Sequence, residues 1–342
     1  MNPLEKTKIQ LGYIPLLDCI ALLWAKERGF FEEFGLDVTL VKEASWASLR
    51  DRLAFGVLDA AHCLSAMLPA AAIADDQIGI PLKTPLVLSI NRAYISLSQS
   101  LSHALTIQVA DSAQINAQKL VNHIQHGQYV ALAHVFKHSI HHYCLREWLA
   151  LANLQTAQQI ALKTLPPPYM VEALSSGLID GFCVGEPWNI QGEIEGVSQI
   201  VASSRDIIPP IADKVMAVTQ EWALKHPNTL IALTAAVLKA QKELETLNDY
   251  TPVWKMLAEF NIIRFKCSPQ VHVQKYYVIE SIIRNFVENN AAPDPHHFIW
   301  LFEQMQKWDD SVNHFDQTSI EHLSQNCIEH DVYQNALAQI TI

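Results

Sequence analysis

The sequence predicts an α/β protein of two similar lobes, and three observations carry that prediction. A strand–helix–strand–helix–strand pattern begins at residue 8, and an equivalent pattern begins roughly 120 residues later. The same glycine-containing step marks both patterns: Leu53-Ala-Phe-Gly56-Val-Leu58-Asp59-Ala60 in the first, Leu174-Ser-Ser-Gly177-Leu-Ile179-Asp180-Gly181 in the second. The glycine supplies a left-handed helix stop, and the Leu/Ile-Asp-Ala/Gly after it enters a strand. The length of 342 residues fits about two domains at roughly 150 residues each.

In the first unit, KIQLGYI from Lys8 alternates like a strand. Leu17 to Gly29 has helical spacing, with Asp18 as its candidate N-cap. A strand follows at 38–43, a short helix at Ala47 to Phe55 and a strand at Leu58 to His62. In the second unit, strands are expected at 128–134, 160–165 and Ile179 to Val184. Helices fall between them, at Ile140 to Asn153 behind a Ser139 cap and at Tyr169 to Ser176. Each unit is expected to build a parallel sheet. Beyond them, Asn228 to Leu247 and segments near 251–260, 269–290, 294–308 and 317–341 look helical and form a layer on the first lobe.

Composition excludes several functions. There are 24 Lys+Arg against 35 Asp+Glu, a net charge of −11, so the chain has no general attraction to nucleic acid or anionic membrane. Only 11 glycines occur, and neither G-x-G-x-x-G nor G-x-x-x-x-G-K-[ST] is present, which removes the usual support for dinucleotide or ATP binding. No G-x-S-x-G and no fixed pair of acid/base carboxylates is visible, so no enzyme activity is expected. The six cysteines lack any C-x-x-C and read as reduced, mostly core thiols. The N-terminus carries no secretory pattern and no apolar run is long enough to span a bilayer, so a cytoplasmic protein without membrane insertion is expected.

In open parallel sheets, ligands bind beyond the carboxyl ends of the strands. That rule selects Pro15 and Asp18, Ser45 and Trp46, and His62 to Ser65 in the first unit. In the second it selects His138, Ser139 and His141, Pro166 to Tyr169 (with Pro167), and Glu186, Pro187 and Trp188. If the lobes face each other, these loops line one cleft. Helix N-termini there would favour a small anion.

Several of these residues have ordinary alternatives. Trp46 is either core packing or a ring that stacks on a planar ligand, and Trp188 is either a plug or a contact. Asp18 is most simply a helix cap. His134, His138, His141 and His142 have spacings of four that suit zinc, yet no H-E-x-x-H and no further ligands accompany them. Polar residues at a helix start, one of them touching the ligand, is the simpler reading.

The run GYIPLLDCIALLWAKERGFFEEFGLDVTLVKEASWASLRDRLAFGVLDAAH resembles the nitrate- and bicarbonate-binding proteins related to ABC transporters. So do HSIHHYCLREWLA, PPYMVEALSSGLIDGFCVGEPWN and DKVMAVTQEWALKHPNT, and together they cover about residues 8–230. The resemblance implies a type II periplasmic-binding-protein-like fold, two α/β lobes with a ligand cleft and a C-terminal helical layer. Lobe one would comprise residues 1–95 plus 200–342, and lobe two residues 96–199. By motif, the family's aromatic, histidine and lysine ligands fall on Trp46, His141 and Lys214, with Ser139, Pro167, Glu186 and Trp188 beside them. Bicarbonate-binding relatives place an acidic residue at the lysine position and recruit calcium, so Lys214 implies nitrate or nitrite, no metal and no cofactor.

One segment departs from the family. Where relatives carry Asn-Gly-Asn/Gln-Ala-Ile-Thr, this chain has Asn91-Arg92-Ala93-Tyr94-Ile95-Ser96, so the pocket amide is missing. Arg92 either replaces that contact or points to solvent. Together with the absence of a signal, the resemblance implies a cytoplasmic nitrate/nitrite sensor regulating an RNA-binding transcription antiterminator. The alternative is a transporter-associated solute-binding protein for the same class of anion.

Overall fold

A computed structural model describes residues 3–288, 290–310, 312 and 314–340. Positions 289 and 341, within two of the segments read as helical, lie outside the described residues. Among the described residues ten strands run in chain order: β1 (Lys8–Tyr13), β2 (Asp37–Lys42), β3 (Ala60–Leu64), β4 (Leu82–Ile90), β5 (Tyr94–Ser98), β6 (Leu132–His134), β7 (Leu162–Thr164), β8 (Gly181–Val184), β9 (Ser198–Ser203) and β10 (Ala212–Thr219). Six helices matter below: α1 (Ile20–Glu27), α2 (Trp46–Ala54), α3 (Ile140–Ala150), α4 (Met170–Ser175), α5 (Trp188–Ile194) and α6 (Pro227–Thr246).

The chain divides into two compact units. The first is Met1–Ile90, Ala212–Ile263 and Val278–Ile342; the second is Asn91–Ile211 and Arg264–Tyr277. Boundaries at 95/96 and 199/200 would cut β5 and β9 in two. A strand keeps with its ladder partners, so both strands lie whole in the second unit, which Arg264–Tyr277 also joins.

Each unit holds a five-stranded sheet, in the orders β2-β1-β3-β10-β4 and β7-β6-β8-β5-β9. The first three strands of each are parallel, as expected. The fourth is antiparallel to its neighbours, so both sheets are mixed, not parallel. That fourth strand comes from the crossing chain: β5 precedes the second unit's own βαβ run, and β10 follows it. Pro85 sits in β4, an edge strand, where a missing N–H is tolerated.

The duplicated step is reproduced bond for bond. Gly56 and Gly177 have φ of 73° and 72°, the left-handed region that other residues avoid. Asp59 N–H donates to Gln10 O, and Gln10 N–H donates back to the Asp59 carboxylate at 2.9 Å. Asp180 N–H donates to Ala131 O, and Ala131 N–H donates back to Asp180 at 2.8 Å. Each aspartate thus pins its third strand to its first. The copies differ at the next residue. A Cβ on Gly181 would lie 2.8 Å from Ser96 O, so the close approach of β5 admits only glycine where the first unit has Ala60.

The long C-terminal segment read as helical at 317–341 is two helices, Gln317–Asn326 and His330–Ile340. Cys327 to Glu329 separates them, where Thr84 N–H bonds Cys327 O and Glu329 N–H bonds Thr84 O. All six cysteines are free and five are buried. Among the described residues, no helix is long and apolar enough to cross a membrane.

Candidate functional site

In the first unit the chemistry collects at the carboxyl ends of β1 and β3. Asp18 lies in a 3-10 turn, Leu17–Cys19, between β1 and α1, and neither this turn nor α1 has a side-chain cap. The expected capping role is therefore absent, because its carboxylate is drawn into an ion cluster. Asp18 Oδ2 is 3.1 Å from Lys214 Nζ, and Oδ1 is 2.9 Å from His62 Nε2. Lys214 Nζ is also 2.6 Å from Asp213 Oδ1. β10 brings the lysine here by pairing Lys214 with Leu64, the last residue of β3.

Lys214 and His62 are wholly buried and Asp18 and Asp213 nearly so. Burial pushes the Lys214 ammonium down, but Asp18 and Asp213 outweigh it and hold its pKa above the usual lysine range. Burial likewise opposes ionisation of Asp18, yet Lys214 and then His62 keep its carboxyl well below the usual range. For His62 burial wins over the pull of Asp18, so its pKa is lowered and the ring is neutral near pH 7. Two carboxylate contacts leave the third Nζ–H of the Lys214 ammonium for a further acceptor.

Trp46 completes this cluster. Ser45 caps α2 by accepting from Ser48 N–H at 3.2 Å, which fixes Trp46 at the first helical position. The indole is buried, 5.5 Å from the His62 ring and with Lys214 Nζ 5.6 Å from its centroid. Its Nε1–H is buried without a hydrogen-bond partner. A buried donor left unsatisfied is costly, and an acceptor held beside Lys214 would offset that cost.

The second unit places its residues at the equivalent edge. Ser139 caps α3, accepting from His142 N–H at 3.2 Å and donating to Phe136 O at 2.6 Å. His141 follows in the first turn and is wholly buried, with His138 nearly so. His134 ends β6 and stacks on His142, centroids 4.6 Å apart. Nδ1 of each bonds a loop carbonyl, Phe136 O at 2.9 Å and Lys137 O at 2.8 Å, and Arg146 donates to His142 Nε2 at 3.2 Å. Burial pushes His134 down to about 3 and His142 to about 4, so this pair is neutral. It ties the β6–α3 corner together. Among the described residues no group of three or more His, Cys, Asp or Glu could hold a metal ion.

Pro167 is buried in a 3-10 turn, Pro167–Tyr169, after β7. Glu186 follows β8, and burial raises its carboxyl to about 8, so it is largely protonated at neutral pH. Its Oε2 accepts from Ile190 N–H at 3.1 Å, while buried Oε1 has no partner. Trp188 is buried, with Arg264 5.0 Å over its ring. Asn189 binds Ser96 Oγ and Val184 O, fastening β5 to β8. Glu-Pro-Trp-Asn therefore also does structural work. Arg92 is half-buried just before β5, near Tyr94 and Arg205, and is not simply directed to solvent.

Trp46 and Lys214 thus belong to the first unit, and Arg92, Ser139, His141, Pro167, Glu186 and Trp188 to the second. Sequence reasoning missed the engagement of His62 and Asp213 with Lys214. The one signal for Asp213 was its place next to Lys214 in Asp-Lys-Val.

Two mixed α/β sheets of identical order, each with polar groups gathered at one strand edge, define a periplasmic-binding-protein-like fold. The chain belongs to the NMT1-like family, whose model matches residues 2–257. It is similar to the nitrate import ATP-binding protein NrtC of Synechocystis sp., 36% identical over 322 residues, covering 90% of this chain and 47% of that protein. The bicarbonate transport ATP-binding protein CmpC of the same organism is 31% identical over 325 residues, covering 90% and 47%. The nitrate/nitrite binding protein NrtA of Nostoc sp. is 28% identical over 322 residues, covering 89% of this chain and 71% of that protein. The chain spans about half the length of NrtC and CmpC. Its fold matches the crystal structure of the periplasmic nitrate-binding protein NrtA from Synechocystis PCC 6803, with a TM-score of 0.82 at 22% identity over 99% of this chain and 90% of that one.

Proposed function

We propose that the protein is a solute-binding protein of the ABC-transport type that binds nitrate or nitrite. The observation that carries this reading is the buried Lys214 ammonium beside the unsatisfied Trp46 Nε1–H at a strand edge of a nitrate-binding-like fold. A strongly hydrated small anion needs a full positive charge to offset its desolvation in a buried site. Protonated Glu186 could donate to an anion without repelling it.

The relatives reported above are named for transport and binding, so the transport-type reading stands ahead of a cytoplasmic sensor with an RNA-binding antiterminator partner. Two relatives are named ATP-binding proteins, whereas this sequence carries no G-x-x-x-x-G-K-[ST] motif. Bicarbonate is the competing ligand, since the similarity to CmpC approaches that to NrtC. Calorimetry with nitrate, nitrite, sulfonates and bicarbonate, each with and without calcium, tests the reading. Nitrate or nitrite should bind without calcium, and Lys214→Ala should abolish the heat. Binding of bicarbonate alone, or of no anion, would overturn the assignment.

A further inference from the structure

The cluster around Lys214 is more acidic than an anion site should be. With Asp18 and Asp213 ionised, Lys214 charged and His62 neutral, the buried group carries one net negative charge. A monovalent anion arriving at Lys214 would raise it to two in a poorly screened interior. The cheapest remedy in reach is a proton, and only one member of the chain can gain one without losing an ion pair. His62 Nε2 faces Asp18, while Nδ1 is buried and without a hydrogen-bond partner. The Trp46 ring 5.5 Å away would favour an imidazolium.

We propose that His62 takes up a proton at Nδ1 when an anion binds beside Lys214, so that the site binds its anion together with a proton. The inference rests on the anion reading above. The charged groups facing His62 are Asp18 from the turn after β1 and Lys214 from β10, with Asp213 acting through Lys214. On α2, Arg50 pairs with Asp51 and Arg52 with Glu43. On β1, Lys8 is exposed and burial raises the Tyr13 hydroxyl to about 12. Cys63, beside His62 on β3, has its thiol pushed up to about 12, and Met67–Ala72 carries no titratable side chain. His62 is thus the group whose charge can change near neutrality.

The sign follows from linkage. An anion that raises the pKa of His62 binds more tightly as pH falls, by up to about tenfold per pH unit for one coupled proton. Potassium nitrate is titrated calorimetrically into the full chain in two buffers of equal pH and different ionisation enthalpy, from pH 5.5 to 8. The expected result is uptake of up to one proton per nitrate, with nitrate tightening as pH falls. His62→Gln should bind nitrate more weakly than the wild type at low pH, with no uptake and a flat pH profile. Nitrate binding to the wild type with no proton uptake and constant affinity overturns this inference alone. So does a His62→Gln variant that keeps the uptake. Absence of nitrate binding at every pH overturns the anion reading, and this inference with it. If His62→Gln does not fold, the wild-type proton count still decides: zero overturns it.

Discussion

The two units share one topology and differ in the charge of the edge it builds. In both, a glycine stop and a reciprocal aspartate bond set the third strand, and the N-terminal end of an antiparallel strand from the crossing chain delivers a basic residue near the third strand's carboxyl end. In the first unit that residue, Lys214, is buried among ionised groups. In the second, Arg92 is half-buried, and burial keeps His134, His142 and Glu186 neutral. Identical backbone scaffolds can therefore hold opposite electrostatic solutions. The first unit retains charge by pairing it, and the second avoids charge by shifting protons.

Removing the cation should expose this contrast most strongly. Lys214→Met leaves Asp18 and Asp213 buried without a counter-charge, and about 3–5 kcal/mol of stability should be lost. Adding Asp18→Asn to Lys214→Met should restore part of that loss, since one uncompensated carboxylate is gone. Urea unfolding of the single and double variants measures both. Losses that simply add would mean that the two groups are not paired.

The opposite result is expected at Glu186. Its folded pKa of about 8 lies above the unfolded value near 4.5, so the folded state holds a proton that the unfolded state has released between those pH values. Stability due to this group therefore falls as pH rises from about 4.5 to 8 and stays low above. Glu186→Gln keeps an acceptor for Ile190 N–H and removes the titration. It should stabilise the protein by about 2–4 kcal/mol at pH 8.5, at roughly 1.4 kcal/mol per pKa unit, and by little at pH 4.5. Equal effects at the two pH values would show that Glu186 is ionised throughout.

How far this contrast could be read from the sequence depends on the residue. The βαβ pattern, the Ser139 cap and the Gly56 and Gly177 stops were legible because each rests on local chemistry. The mixed sheets were not, because every residue of β10 is buried, so the strand has no alternation of buried and exposed positions to detect. β5 sits in a Ser- and Gln-rich stretch with the same result. Asp18 looked like a cap because its partners, His62 and Lys214, are distant in sequence. The neutrality of Glu186 and of the His134–His142 pair is a property of burial, which composition does not encode.

Acid should weaken the second unit through that histidine pair. The folded pKa values of about 3 and 4 lie below the unfolded value near 6.5, so the unfolded chain binds more protons as pH falls. Stability from the pair is complete above pH 6.5 and is lost as pH falls to about 4 for His142 and about 3 for His134. The slope is up to about 1.4 kcal/mol per pH unit for each ring. His142→Gln should flatten the decline between pH 6 and 4.5 by about one such slope, read from urea midpoints. An unchanged slope would place the acid sensitivity elsewhere.

The smallest contrast lies in two caps at matching positions. Ser45 and Ser139 each accept a hydrogen bond of 3.2 Å at the N-terminus of the helix that follows a parallel strand. Ser45 is only half-buried, so water can reach the backbone donor left by Ser45→Ala, and about 0.5–1 kcal/mol should be lost. Ser139 is wholly buried and its hydroxyl also donates to Phe136 O, so Ser139→Ala leaves an unsatisfied donor and acceptor out of reach of water. That loss should be nearer 2 kcal/mol. Unfolding midpoints of the two variants measure the difference, and equal losses would mean that burial does not separate the two edges. A larger loss at Ser139 would show the neutral edge depending on individual hydrogen bonds, where the charged edge depends on its ion pairs.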